Sequence, residues 1–221
     1  MIQAKPHRLA EFIFLNYLKR ILPRGFNSFQ ILGPLPEPDP QLPILLLPNH
    51  SSWWDGLWIY WMNRCLFQRQ FYVMMLREQL QRFWFFRYIG AYSIDPGKPK
   101  EVLASIHYSK MLLDNGNGDN PLVCIFPQGE MQPWGHRPLD FQPGVNRMVS
   151  GIRGRVNILP LAMRAEFLDA RLPDLFFKFG ECRVTDAGDF AGATVLAREH
   201  TALLTALATA INARETGLHL F

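Results

Sequence analysis

The chain reads as an α/β fold: a single layered domain with a mixed central sheet flanked by helices, preceded by an N-terminal amphipathic helix. Two observations predict it. From residue 44 onward, short apolar runs alternate with stretches of helical spacing, the pattern of strands joined by crossover helices. The length of 221 residues suits one domain and is ample for a packed core.

The elements follow in order. Leu9–Leu22 reads as the first helix. Leu9, Phe12, Ile13, Asn16, Tyr17 and Arg20 keep a helical period, while Phe14, Leu15, Leu18, Ile21 and Leu22 broaden the apolar face. Arg8, Lys19, Arg20 and Arg24 bracket it. Two readings fit: a helix lying in a membrane interface, or one packed on the domain core. Pro34–Pro43 is a proline-rich connector that stays extended. Residues 1–40 are therefore expected to hold the helix and connector, and residues 41–221 the α/β domain. Within the latter, Ile44–Leu47, Phe71–Leu76, Leu122–Phe126 and Ile158–Met163 look like buried strands. Leu57–Phe67, Lys100–Leu113 and Gly144–Ile152 look helical. Leu175–Val184 suggests a further strand, and Thr194–Arg214 a closing helix rich in Ala and Leu. Asp114–Asn120 resembles a calcium loop, but Gly116 occupies a ligand position and no Glu stands at the twelfth place, so it reads as a turn.

Composition narrows the function. The net charge is +4, with many Trp and Phe, which suits an anionic membrane surface or anionic ligand. Nucleic acid is disfavoured, because no dense Lys/Arg stripe or binding motif is present. Cys65, Cys124 and Cys182 are scattered and odd in number, so neither a zinc site nor a disulfide framework is expected, and a reducing compartment is favoured. No metal or cofactor is called for. Neither a secretory signal nor a stretch of some 18 apolar residues is visible. The expected location is cytoplasmic, peripheral on the inner face of a membrane.

Chemistry concentrates at residues 49–55, Asn49-His50-Ser51-Ser52-Trp53-Trp54-Asp55, directly after the apolar run Ile44–Pro48. A histidine and a carboxylate stand five residues apart where a buried strand gives way to a loop. On a continuous helix they would point to different faces. They meet only if residues 50–54 form a loop and Asp55 opens the next helix, whose N-terminus favours the ionised carboxylate. With two oxygens, Asp55 can cap that helix and still accept the imidazole N–H. His50 would then act as a general base, with Asp55 setting its tautomer. The plainer alternative is a helix cap beside an ordinary turn histidine.

Three further segments bear on that choice: Gly90-Ala91-Tyr92-Ser93-Ile94-Asp95-Pro96, Ile125-Phe126-Pro127-Gln128-Gly129-Glu130-Met131 and Ile158-Leu159-Pro160-Leu161-Ala162. Together with Asn49-His50 and Asp55, and with Phe141-Gln142-Pro143-Gly144-Val145, they resemble in order and approximate spacing the glycerolipid acyltransferase family, whose best-known members acylate lysophosphatidic acid. The resemblance covers roughly residues 40–185. It implies direct acyl transfer from acyl-CoA or acyl carrier protein to a lipid hydroxyl at a membrane surface. His50 is the implied base and Asp55 its partner. Asn49, Ser51, Pro127, Gln128, Gly129 and Glu130 are the implied substrate-binding residues.

The chain also departs from that pattern. The family's Phe-Pro-Glu-Gly-Thr-Arg here has Gln128, Glu130 and Met131, and its Asp-Arg has become Asp95-Pro96. Those arginines are associated in the family with the acceptor's phosphate. Neither Met131 nor Pro96 offers the bidentate grip of a guanidinium, and Glu130 would repel a phosphomonoester. A lysophospholipid, an amino-lipid or a glycosylated lipid is the better-fitting acceptor. Arg77, Arg137, Arg147 and Arg164 are the cations able to rebuild a phosphate site from elsewhere. Tafazzin-like transacylases also lack the arginine, so exchange between phospholipids stays open.

Two aromatic groups complete the reading. Arg77–Tyr88 mixes Arg, Trp and Tyr as headgroup-level segments do, or is a core helix with exposed arginines. Trp53, Trp54, Trp58, Tyr60 and Trp61 would either shape an acyl-chain pocket or pack the core. The competing classes are a serine hydrolase using Ser51 or Ser52, against which stands the missing Gly-x-Ser-x-Gly elbow, and a lipid-binding protein that has lost catalysis, which would not need both His50 and Asp55.

Overall fold

A computed structural model describes residues 1–114, 120–186 and 192–221. Most of the loop likened to a calcium site, residues 115–119, lies outside them.

In chain order the elements are α1 (Arg8–Gly25), β1 (Ser28–Ile31), β2 (Ile44–Pro48), α2 (Asp55–Leu66), β3 (Phe71–Leu76), α3 (Arg77–Arg82), a 3-10 turn at Trp84–Ile89, β4 (Ala91–Ile94), α4 (Pro99–Leu113), β5 (Leu122–Cys124), α5 (Gly144–Val149), β6 (Val156–Glu166), β7 (Asp174–Phe179), β8 (Arg183–Thr185), α6 (Ala193–Asn212) and β9 (Leu218–His219). The strands form one mixed sheet in the order β4-β3-β5-β2-β6-β7-β1-β9, with β8 also pairing β6. From β4 to β6 the neighbours run parallel; β7 then returns antiparallel to β6.

Helices cover both faces, which is why the central strands carry unbroken apolar runs. On β2, Ile44 and Leu46 face a core shared with α1 and α2, whereas Leu45 and Leu47 face α4 and α5. The outer half of β6 and β7 packs under α6 through Ala162, Phe176, Leu204 and Leu207.

The structure adds strands β1, β4 and β9 to the sequence reading, and three features have a clear physical cause. Ser28–Ile31, in the stretch expected to hold only a helix and connector, forms β1 and pairs parallel with β7. Asp174 anchors it by accepting hydrogen bonds from the Asn27 amide and the Ser28 hydroxyl, at 2.7 and 2.6 Å. The strand expected over 175–184 is two strands, because one extra residue is inserted near Gly180 between the β7 and β8 pairings to β6. Such a bulge bends a strand. The glycine of the second motif, Gly90, has φ +105°, and a Cβ there would lie 1.8 Å from the Phe71 carbonyl oxygen. Backbone packing alone demands glycine at that position.

The first helix divides its apolar residues between two sides. Phe14, Leu18 and Leu22 are buried, each contributing about 1.5–3 kcal/mol. Leu9, Phe12, Ile13 and Tyr17 are exposed. The stretch Arg77–Tyr88 is α3 followed by the 3-10 turn, with Leu80 buried and Trp84 exposed. Among the described residues, no helix is long and apolar enough to cross a membrane.

Candidate active site

Parallel register places the two loops of interest side by side. Leu46 of β2 pairs with Cys124 of β5; four residues beyond each lie His50 and Gln128. Both loops leave the carboxyl ends of adjacent parallel strands, where open α/β sheets place their ligands.

Asn49 fixes the first loop to β6. Its side-chain carbonyl accepts the Met163 N–H at 2.7 Å and its amide donates to the Met163 carbonyl at 3.0 Å. The side chain thereby extends the ladder one step past Pro48. Residues 50–54 then turn, and Asp55 opens α2. One oxygen of Asp55, Oδ2, gathers three donors: His50 Nδ1 at 2.8 Å, Ser51 N–H at 2.7 Å and Ser52 N–H at 2.9 Å. Asp55 is therefore helix-start residue, turn organiser and imidazole partner at once. Its side chain is 1 % exposed, against 23 % for His50. With Nδ1 committed to the carboxylate as donor, Nε2 carries the lone pair and is the ring's only basic atom.

The second loop holds His50 from three directions. The Phe126 ring stacks on the imidazole with centroids 4.1 Å apart and planes at 26°. The His50 N–H donates to Gln128 Oε1 at 2.6 Å. The His50 carbonyl accepts the Gln132 N–H at 2.8 Å. Gln128 is buried, and its other end donates to Gln132 Oε1 at 2.6 Å. Both halves of its amide are thus engaged within the protein. Gly129 turns at φ +77°, and Glu130 and Met131 are exposed beside it. Pro127 is buried, with its carbonyl accepting the Gln142 N–H at 2.8 Å.

The remaining candidates sort plainly. Ser51 Oγ accepts from the Asn49 amide at 3.3 Å, and Ser52 Oγ from the Trp54 N–H at 3.1 Å; both hydroxyls serve the turn. Trp58 and Tyr60 are core residues, 1 % and 2 % exposed, whereas Trp53 stays exposed at the turn. Asp95 pairs with Lys98 at 3.2 Å. Of the four arginines, Arg77 is paired with Glu101 and Arg164 with Glu166, Arg137 donates to the Trp134 and His136 carbonyls, and Arg147 is exposed on α5. Among the described residues, no group of three or more His, Cys, Asp or Glu is placed to hold a metal ion. Sequence reasoning missed Gln132 and the stacking role of Phe126. The Phe-Pro step is a signal for Phe126; Gln132 has none, because its part depends on a partner 82 positions away in the chain, His50.

A family model described as Acyltransferase matches residues 30–164, well over half of the chain. The crystal structure of the 1-acyl-sn-glycerophosphate (LPA) acyltransferase PlsC from Thermotoga maritima is similar in fold, with a TM-score of 0.61 and 16% sequence identity over 90% of this chain and 79% of that one. No curated protein matches the sequence.

Proposed function

The chain belongs to the acyltransferase family, and from that premise we propose that it moves a fatty acyl group from a thioester, acyl-CoA or acyl carrier protein, to a hydroxyl of a lipid acceptor. The observation that carries the reading is the His50 Nδ1 to Asp55 Oδ2 hydrogen bond of 2.8 Å at the carboxyl ends of β2 and β5. Nε2 removes the acceptor's hydroxyl proton as the oxygen attacks the thioester carbonyl. The tetrahedral intermediate collapses, the C–S bond breaks, and the imidazolium returns the proton to the departing thiolate. Asp55 holds the ring and stabilises the imidazolium between those steps. General-base help of this kind contributes about 10²–10⁴ in rate.

The acceptor in this proposal is a lysophospholipid or another lipid without a terminal phosphomonoester. Glu130 puts a carboxylate on the exposed lip of the site, Met131 and Pro96 stand where the family's arginines would be, and Arg77, Arg137 and Arg164 are each occupied within the protein. The proposed location is a membrane surface. The exposed residues Leu9, Phe12, Ile13 and Tyr17 on α1 and nearby Trp84, with Lys19, Arg20 and Arg24 on the same helix, suit an anionic bilayer.

The test is an acceptor screen: labelled acyl-CoA, extracted membrane lipids and mass spectrometry of the products. Acylation of lysophospholipid or glycolipid, with lysophosphatidic acid a poor acceptor, is expected. A clear preference for lysophosphatidic acid would refute the role given to Glu130 and Met131, and release of free acid alone would make the chain a hydrolase.

A further inference from the structure

Two of the third-motif residues that break the family pattern, Gln128 and Glu130, are joined through Gln132. Starting from the catalytic turn, the His50 N–H donates to Gln128 Oε1 at 2.6 Å, Gln128 Nε2 donates to Gln132 Oε1 at 2.6 Å, and Gln132 Nε2 donates to Glu130 Oε1 at 3.2 Å. The direction of this chain is fixed at both ends. A backbone N–H can only donate and an ionised carboxylate can only accept. Between such ends, each intermediate group must accept on one side and donate on the other. Glutamine does both; glutamate cannot. A glutamate at position 128 would accept from His50, but could keep Gln132 only if the Gln132 amide turned over and gave up its bond to Glu130, inside a site where Gln128 is 2 % exposed.

We propose that Gln128 and Gln132 form an oriented amide relay that positions the His50 backbone, with Glu130 as its terminal acceptor. The inference rests on acyl transfer by His50. Gln128 and Gln132 are positioning residues: they touch the histidine's main chain and each other. The relay also accounts for why glutamine at 128, glutamate at 130 and glutamine at 132 occur together. With the Gln132 N–H on the His50 carbonyl and Phe126 under the ring, it leaves His50 little freedom to move from the attacking hydroxyl. Misplacing a base by about 1 Å can cost on the order of 10²-fold in rate.

The relay's polarity supplies the test, a double-mutant cycle between positions 128 and 132. Gln132→Lys replaces the acceptor with a donor and leaves Gln128 Nε2 without a partner. Gln128→Glu makes the Gln132 amide turn over and give up Glu130. Gln132→Lys should lower kcat by about tenfold, the order of one buried hydrogen bond lost, and Gln128→Glu by about threefold, with KM for both substrates nearly unchanged. In the double variant, the new carboxylate at position 128 accepts both from the His50 N–H and from the new ammonium at position 132. That variant should recover to within about threefold of wild type. Gln132→Glu keeps the acceptor for Gln128 Nε2 but loses the donor to Glu130, so it should lower kcat by only about threefold; a loss as large as that of Gln132→Lys would show general intolerance of change at 132 and overturn the relay. Amide exchange at His50, followed by NMR, should track the same cycle: protection lost in Gln132→Lys and restored in the double variant. Additive losses in the double variant, unchanged protection in Gln132→Lys, or effects confined to KM would overturn the relay. Failure of the acyl-transfer reading shows differently, as no labelled lipid from the wild-type protein while the exchange measurement still decides the relay.

Discussion

The Asn49–Asp55 turn and the Phe126–Gln132 loop meet at His50 but are built differently. In the turn, the contacts that set the imidazole are local: Asp55 Oδ2 takes donors three, four and five residues back, while Asn49 clamps the turn to Met163 of β6. In the loop, the partner that matters is distant: Gln128 reaches a histidine 78 positions away. The turn keeps every residue the family resemblance names. The loop replaces three of them, and two of the residues now there, Gln128 and Glu130, are linked through Gln132 to His50. The contrast teaches that the His50–Asp55 pair and the loop that supports it are set by different parts of the sequence.

That contrast can be broken experimentally, starting with the turn. Asp55→Asn disturbs the imidazole tautomer and the acceptor shared by Ser51 and Ser52. It should lower kcat by about 10²–10⁴, read at saturating donor and acceptor. A loss smaller than tenfold would mean that the turn only shapes the backbone. A smaller effect, on stability alone, probes the underside of the loop. His200 of α6 is fully buried against Phe141. Burial lowers its pKa from 6.5 to about 4, the backbone of Leu161 opposes the lowering from outside good hydrogen-bond geometry, and Arg137 adds to it. Between pH 6.5 and 4 the unfolded chain therefore binds a proton that the folded chain refuses. Stability is full above that window and falls as pH drops through it, by about 3 kcal/mol. Urea unfolding at pH 7 and pH 4.5 should show His200→Leu with a much shallower loss than wild type. Equal losses in the two proteins would remove His200 as the cause.

How much is legible in the sequence follows the same divide. The strands at 44–48 and 122–124 are readable because burial on both faces leaves continuous apolar runs; 71–76 is readable by its apolar run too, although only Phe71 is buried and Leu76 is exposed, against the expectation of a buried strand. The strand at 28–31 is not: Ser28-Phe29-Gln30-Ile31 is short, mixed in character, and becomes a strand only by pairing with residues 174–177. The break falls where the chain turns from largely apolar Leu175–Phe179 to Gly180-Glu181-Cys182-Arg183, but that change alone does not tell a bulge from a strand running out into solvent. At the site, the five-residue spacing leaves His50–Asp55 open between a pair and a helix cap with a turn histidine, and the resemblance carried by the neighbouring motifs favours the pair; in the structure Asp55 opens the helix and bonds the imidazole as well. Gln128 reads from sequence as a substrate-binding residue, since its partners lie elsewhere in the chain; in the structure its amide is turned inward, and Gly129 and Glu130 are the exposed members.

The central claim is that His50 is the base of an acyl transfer to a lipid hydroxyl. Incubating wild-type protein and the His50→Ala variant with labelled acyl-CoA and membrane lipids, and separating labelled lipid from labelled free acid, tests it most directly. Labelled lipid from wild type, none above background from His50→Ala, and closely similar thermal midpoints are the predicted result. Continued lipid labelling by the variant, or free acid as the only wild-type product, would contradict it.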